Sequence, residues 1–119
     1  MNRYLVEKHI GDAYDVLKAK YQNGNVDKTL RSKMSAFGAV VLMSGPLPAI
    51  AYYADNEKQI VELLEKMYGN TSADGLFAKV RDDLRRNRTA AVETLLAYSV
   101  SLKMAFNLLA LDDPADGRQ

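Results

Sequence analysis

The chain has 119 residues, the size of one domain, and 26% of them are charged, with a net charge of +1. It contains no cysteine, which excludes disulfides, thiolate catalysis and cysteine-ligated zinc or iron–sulfur centres. Charges recur every few positions near the start of the chain without an apolar core, so we expect no secretory signal and a cytoplasmic protein.

Apolar residues at helical spacing predict an all-α fold, a compact bundle of five or six helices with a buried central helix. The first helix is predicted from Asn2 to Tyr21, and Asn23–Gly24 is expected to end it because both residues tolerate the left-handed conformation. Asp27 is expected to cap the second helix through its carboxylate. The predicted buried stripes are Val6, Ile10, Ala13, Leu17 and Tyr21 in the first helix and Leu30, Met34, Phe37 and Val41 in the second.

The second predicted helix enters Met34–Ala54, a run of 21 residues without a charge, which has to be buried. Pro46 interrupts this run because proline has no N–H to continue a helix, so a membrane span is disfavoured and no membrane partner is expected. We predict a helix that ends near Ser44–Gly45 and a short third helix, Pro46–Ala54, opened by the proline. Because the second helix is apolar on all sides after Lys33, it is expected in the middle of the bundle.

Three further helices complete the predicted single domain, which runs from residue 1 to 111. The expected boundary residues are Asp55 and Gly69 for the fourth helix, Thr71 or Ser72 for the start of the fifth, and Asn87 or Thr89 for the start of the last. The expected buried residues are Ile60, Leu63, Leu64 and Met67, then Leu76, Phe77, Val80 and Leu84, then Val92, Leu95, Ser99, Leu102, Phe106 and Leu109. Residues 112–119 are polar and are predicted to form a disordered tail.

Residues suited to catalysis are scarce in this sequence. His9, the only histidine, stands beside Glu7 and lacks the carboxylate spacing of a dimetal bundle, so we expect a surface or half-buried residue rather than a ligand. Asp12 and Asp15 are one turn apart, and a solvated helix face explains them better than paired catalytic carboxylates. The sequence has no phosphate-binding glycine loop, nucleophile elbow or zinc signature. We therefore expect no catalytic residue, no metal, no cofactor and no enzymatic activity.

The charge is segregated into two basic segments. Residues 18–33 have a local charge of +4, residues 79–88 have +3, and the remainder carries −6. The cations are Lys18, Lys20, Lys28, Arg31 and Lys33 in the first segment and Lys79, Arg81, Arg85, Arg86 and Arg88 in the second.

Helix dipoles account for part of this pattern, because the cations that end the first and fifth helices are favoured there by roughly 0.3–1 kcal/mol each. Lys28, Arg31 and Lys33 instead stand in the first half of the second helix, where the dipole disfavours positive charge. A tight hairpin at Asn23–Asp27 is also expected to bring the two ends of the first segment together. The charges therefore favour an anionic partner, and on their own they leave nucleic acid and a plain solvated face both open.

The uncharged run carries a further pattern, Lys33 followed by Ser44-Gly45-Pro46-Leu47-Pro48-Ala49-Ile50-Ala51-Tyr52-Tyr53. It resembles the small-subunit family of the type III-B CRISPR Cmr effector complex. In that family a basic residue opens an apolar helix, and a glycine–leucine turn leads to an alanine-rich helix with an aromatic end. The matching positions are Lys33, Gly45, Leu47, Ala49, Ala51 and Tyr52 or Tyr53, with similar flanks around Ala13-Tyr14, Val16-Leu17 and Val92–Leu111. The chain departs from the family at Phe37–Gly38, where a proline is frequent, and at Pro46, which separates the glycine from the leucine.

The resemblance implies a non-catalytic RNA-binding scaffold that stacks as two or more copies and lays a basic face along the guide–target duplex, in antiviral defence. It implies CRISPR RNA, target RNA, other Cmr subunits and further copies of the chain as partners. Phosphate contacts of this kind position RNA and carry little sequence information. The expected contact residues are Lys18, Lys20, Arg31 and Lys33, followed by Arg85, Arg86 and Arg88.

Two other classes of function stay open. A helical protein–protein interaction module with no direct nucleic-acid role would use the basic residues on an acidic partner, and failure to bind RNA at low salt would favour it. A helix-turn-helix DNA binder is disfavoured because apolar residues flank the Gly45–Pro46 turn and leave no polar recognition helix.

Overall fold

Six α-helices make up the part of the chain that the structure, a computed structural model, describes: residues 3–22, 26–69 and 75–112. They are α1 (Arg3–Lys20), α2 (Lys28–Ser44), α3 (Pro46–Asn56), α4 (Lys58–Met67), α5 (Gly75–Arg86) and α6 (Arg88–Asp112). These residues contain no strand, which confirms the all-α prediction. The predicted tail begins at Asp112, and the prediction is wrong for this residue because α6 includes it. Residues 113–119 and the predicted stop at Asn23–Gly24 lie outside the described residues.

The central helix of the bundle is α6, which contacts α1, α2, α4 and α5. Leu95, Leu102 and Phe106 on this helix are fully buried. A buried central helix is therefore confirmed, but the prediction that α2 occupies this place is wrong. The buried stripe of α2 is the predicted one, yet its outer side is not covered: Leu42 is 73% exposed and Met43 is 87% exposed.

Local capping chemistry sets two of the helix starts as predicted. The Asp27 carboxylate accepts hydrogen bonds from the N–H groups of Thr29 and Leu30, at 2.9 and 3.1 Å, and so caps α2. The Asn87 side chain accepts one from the N–H of Ala90, at 3.1 Å, and caps α6.

The prediction that Asp55 caps the fourth helix is wrong, because α3 runs through this residue to Asn56. The N–H of Glu57 still donates to the carbonyl of Tyr53, at 2.6 Å, so helical hydrogen bonding continues past Asp55. Glu57 alone separates α3 from α4.

The start of α5 is capped from another helix. One carboxylate oxygen of Glu65, in α4, accepts the N–H of Leu76 at 2.9 Å, and the expected starting residues Thr71 and Ser72 lie outside the described residues. Leu76 and Val80 are buried as predicted. Phe77 is 41% exposed, so its predicted burial is wrong; it lies about 100° around the helix from Leu76.

The corner between α2 and α3 depends on glycine. Gly45 has φ +93° and ψ 160°, and Pro46 begins α3 immediately after it, as the sequence predicted. No helix within residues 3–22, 26–69 and 75–112 has the length and apolar character needed to cross a bilayer.

Candidate nucleic-acid interface

The first set of predicted contact residues lies where α1 ends and α2 begins, a region we call the α1–α2 corner. Lys18 and Lys20 occupy the last turn of α1, and Arg31 lies in the first turns of α2. Burial and the nearby carboxylate of Asp27 raise the pKa of Tyr21, which places the end of α1 beside the start of α2. The helix ends that carry these three cations therefore lie next to each other.

None of Lys18, Lys20 and Arg31 forms an ion pair with another residue that the structure describes. The Lys18 ammonium lies 5.7 Å from the centre of the Tyr14 ring, and the Lys20 ammonium lies 5.6 Å from that of Tyr21. An aromatic face attracts a cation without neutralising its charge. The Asp27 carboxylate also lies at this corner, but it accepts backbone N–H groups and forms no ion pair with these three cations, so the corner keeps a net positive charge.

Lys33 differs from these cations because its ammonium pairs with the carboxylate of Glu57, 24 residues further along the chain. This hydrogen bond raises the pKa of Lys33. The Lys33 carbonyl also accepts a hydrogen bond from the Tyr53 hydroxyl, at 3.2 Å. Lys33 thus ties α2 to the α3–α4 connection, a structural role that sequence analysis missed, and its contact with RNA stays a prediction.

Replacing Glu57 with glutamine is expected to lower the free energy of unfolding at neutral pH. It is also expected to make the loss of stability with rising alkaline pH less steep. A folded-state pKa that is raised contributes stability below the unfolded-state pKa, and this contribution is lost as pH rises through the folded-state pKa. Burial raises the pKa of Tyr53, and the Glu57 carboxylate raises it further, so removing this carboxylate also reduces the part of the alkaline loss of stability that comes from Tyr53. Urea unfolding of the wild type and Glu57→Gln from neutral to strongly alkaline pH measures this, and parallel curves would contradict it.

The second set of predicted contacts, at the end of α5, is largely neutralised within its own helix. Asp82 lies 3.3 Å from Nε of Arg81 and 4.0 Å from Nη1 of Arg85. Asp83 accepts hydrogen bonds from Nζ of Lys79 and Nη2 of Arg86, both at 2.9 Å. Local pairing therefore offsets much of the positive charge that the sequence assigns to this segment.

Arg88 begins α6, is exposed, and has no ion pair among the residues that the structure describes. No described hydrogen bond or ion pair connects Arg88 or the α5 cations with the α1–α2 corner. The predicted contact residues thus form two groups. The cations of the α1–α2 corner have no ion pair among the described residues, and most cations of the second group are paired with a carboxylate.

His9 has a carboxylate partner that the sequence prediction overlooked: its Nδ1 lies 3.7 Å from a carboxylate oxygen of Asp12, one turn away. Its ring also packs edge-on against Tyr98, with centroids 4.8 Å apart. The described residues contain no group of three or more histidine, aspartate or glutamate side chains placed to hold a metal ion.

Comparison with family models, curated proteins and solved structures finds no match to this chain. The evidence for a nucleic-acid interface therefore comes from the residues of this chain alone, and the α1–α2 corner provides the strongest part of that evidence.

Proposed function

We propose that the chain is a non-catalytic RNA-binding scaffold subunit of a type III-B CRISPR Cmr ribonucleoprotein complex. It contacts the backbone of the guide–target RNA through the α1–α2 corner, and its partners are CRISPR RNA, target RNA, other Cmr subunits and further copies of itself. The pattern from Lys33 to Tyr53 supports this assignment, and so does the arrangement of an apolar helix, a turn at Gly45 and a short helix with an aromatic end.

The observation that carries the proposal is the unbalanced charge of the α1–α2 corner. Phosphate groups compete poorly for cations that already have a carboxylate at hydrogen-bond distance, as Lys33 and Arg86 have. Lys18, Lys20 and Arg31 have no such partner among the described residues, so we assign them the main phosphate contacts. Contacts of this kind bind RNA with little regard to its sequence and weaken as salt rises.

The triple variant Lys18→Ala/Lys20→Ala/Arg31→Ala is expected to bind single-stranded RNA about tenfold more weakly than the wild type at low salt, because three phosphate contacts are lost. The slope of log K against log salt should fall in magnitude by about 2, or about 0.7 for each contact. Fluorescence anisotropy with a labelled RNA over a salt series measures both quantities. Far-UV circular dichroism checks that helicity is retained.

The matched control is Arg81→Ala/Arg85→Ala/Arg86→Ala, which removes the same charge from side chains that are paired with Asp82 or Asp83. We expect a clearly smaller loss of RNA affinity from this variant. Equal losses in the two variants would show that only net charge matters and would reject the assignment to the corner. No RNA binding by the wild type at low salt would reject the proposed function.

The second candidate is a helical protein–protein interaction module without a nucleic-acid role. It is favoured by Leu42 and Met43, adjacent apolar side chains that α2 leaves 73% and 87% exposed. Absence of RNA binding at low salt would favour this candidate.

A further inference from the structure

A groove with an apolar floor lies between the start of α1 and the second half of α6, away from the α1–α2 corner. It has a volume of about 440 Å³ and is lined by Arg3, Val6, Glu7, Ile10 and Met104, and we call it the α1–α6 groove. Met104 is 43% exposed, as is Leu108 one turn further along α6. The groove is thus a recess, and the exposed apolar side chains beside it are large enough to fill a similar recess on another molecule.

The floor of the α1–α6 groove is part of the packed core. Val6 is only 7% exposed, and its carbonyl accepts a hydrogen bond from the hydroxyl of Ser101, a buried residue of α6, at 3.3 Å. This bond adds to the extensive packing of α1 against α6. The groove is therefore preformed, and a partner that enters it does not have to separate the helices.

Two opposite charges flank the apolar floor on α1. Arg3 and Glu7 are exposed and one helical turn apart, and neither forms an ion pair with any described residue. In a two-fold pair the same patch faces itself, so every contact between two residues occurs twice. An axis passing midway between these residues sets Arg3 of each copy opposite Glu7 of the other. The charge pattern is therefore complementary to itself.

We propose that the α1–α6 groove is the interface of a two-fold pair of copies of this chain, in which Met104 and Leu108 of each copy cover the apolar floor of the other. Arg3 and Glu7 form two salt bridges at the edge of this interface. The proposed function already includes further copies of the chain as partners; the inference adds the surface and the two-fold symmetry, and it does not depend on RNA binding.

Sedimentation equilibrium of the full chain over a wide concentration range tests the proposal, with a monomer–dimer equilibrium as the expected result. Arg3→Glu sets two pairs of like charges against each other and should raise the dissociation constant about tenfold, since exposed ion pairs are individually weak. Glu7→Arg should do the same. An equimolar mixture of the two variants should form dimers with close to the wild-type affinity. In a mixed pair each glutamate faces an arginine, whereas a pair of either variant alone sets like charges opposite each other.

The matched control is Leu42→Ser/Met43→Ser, which alters an exposed apolar site outside the groove and should leave the dimer unchanged. A chain that stays monomeric at every concentration would overturn the proposal and leave the groove to a different partner. So would dissociation caused by the control variant, or charge reversals that neither weaken the dimer nor rescue each other. Arg3→Glu should retain RNA affinity at the α1–α2 corner, so a failure here is distinct from a failure of the proposed function.

Discussion

Replacing Phe37 with alanine is expected to lower the free energy of unfolding by about 3–5 kcal/mol, the usual cost of deleting a fully buried aromatic ring. Phe37 is completely buried in the stripe by which α2 faces the core. Its ring meets that of Tyr53 edge-to-face, with centroids 5.0 Å apart and planes at 82°. The substitution therefore leaves a cavity and also removes an aromatic contact that holds α3 against α2.

Urea unfolding followed by circular dichroism measures this loss for Phe37→Ala. The control is Leu42→Ala on the same helix, which removes a side chain that is 73% exposed and should change stability by no more than about 0.5 kcal/mol. Similar effects of the two substitutions would contradict the placement of α2. The result also matters for function, since Arg31 is carried by this helix.

Replacing Gly45 with alanine is expected to cost about 1–3 kcal/mol of stability, because its combination of φ +93° and ψ 160° is strained for any residue with a Cβ atom. Space is not the obstacle. An added Cβ would lie 3.7 Å from the nearest atom of Pro48, which is an ordinary contact. The cost is therefore conformational and falls on the corner from which α3 starts.

Gly11→Ala provides a control of opposite sign. Gly11 lies within α1, it is exposed, and an added Cβ would meet no atom within 4 Å. Alanine should stabilise this helix by about 0.5–1 kcal/mol, because glycine loses more backbone freedom on folding. Chemical denaturation of both variants under one condition tests the pair, and a change of the same sign in both would refute the argument.

The features of the fold that were predictable from sequence are those decided by residues close together in the chain. Asp27 and Asn87 cap the helices that follow them through side chains that reach only two or three residues ahead. The predicted corner at Gly45 depends on one residue and its proline neighbour in the same way.

The features that were missed depend on residues far apart in sequence. Glu65 caps a helix that begins in another part of the chain, and no local pattern indicates this. Leu42 and Met43 have the composition of core residues, but whether a neighbour covers them is decided by the packing of whole helices. An apolar run therefore predicted that α2 would reach the core, and it could not indicate which side would stay uncovered.

The candidate interface shows the same limit. The sequence identified both basic segments and ranked their cations by helix position and by the family resemblance, but it did not show which of them have a carboxylate partner. The structure distinguishes them by their partners, because Glu57 lies 24 residues from Lys33 while Asp83 lies one turn from Arg86. A pairing within one helix can be read from spacing, whereas the pairing of Lys33 requires the fold.

Gly45, Glu57 and Asn87 are each the only residue between two successive helices. One additional residue at any of these positions would rotate the following helix by about 100° and turn its apolar stripe away from the core. Insertions and deletions are therefore poorly tolerated there. We therefore expect homologous chains to differ in length between α1 and α2 and between α4 and α5, where the helices are further apart in sequence.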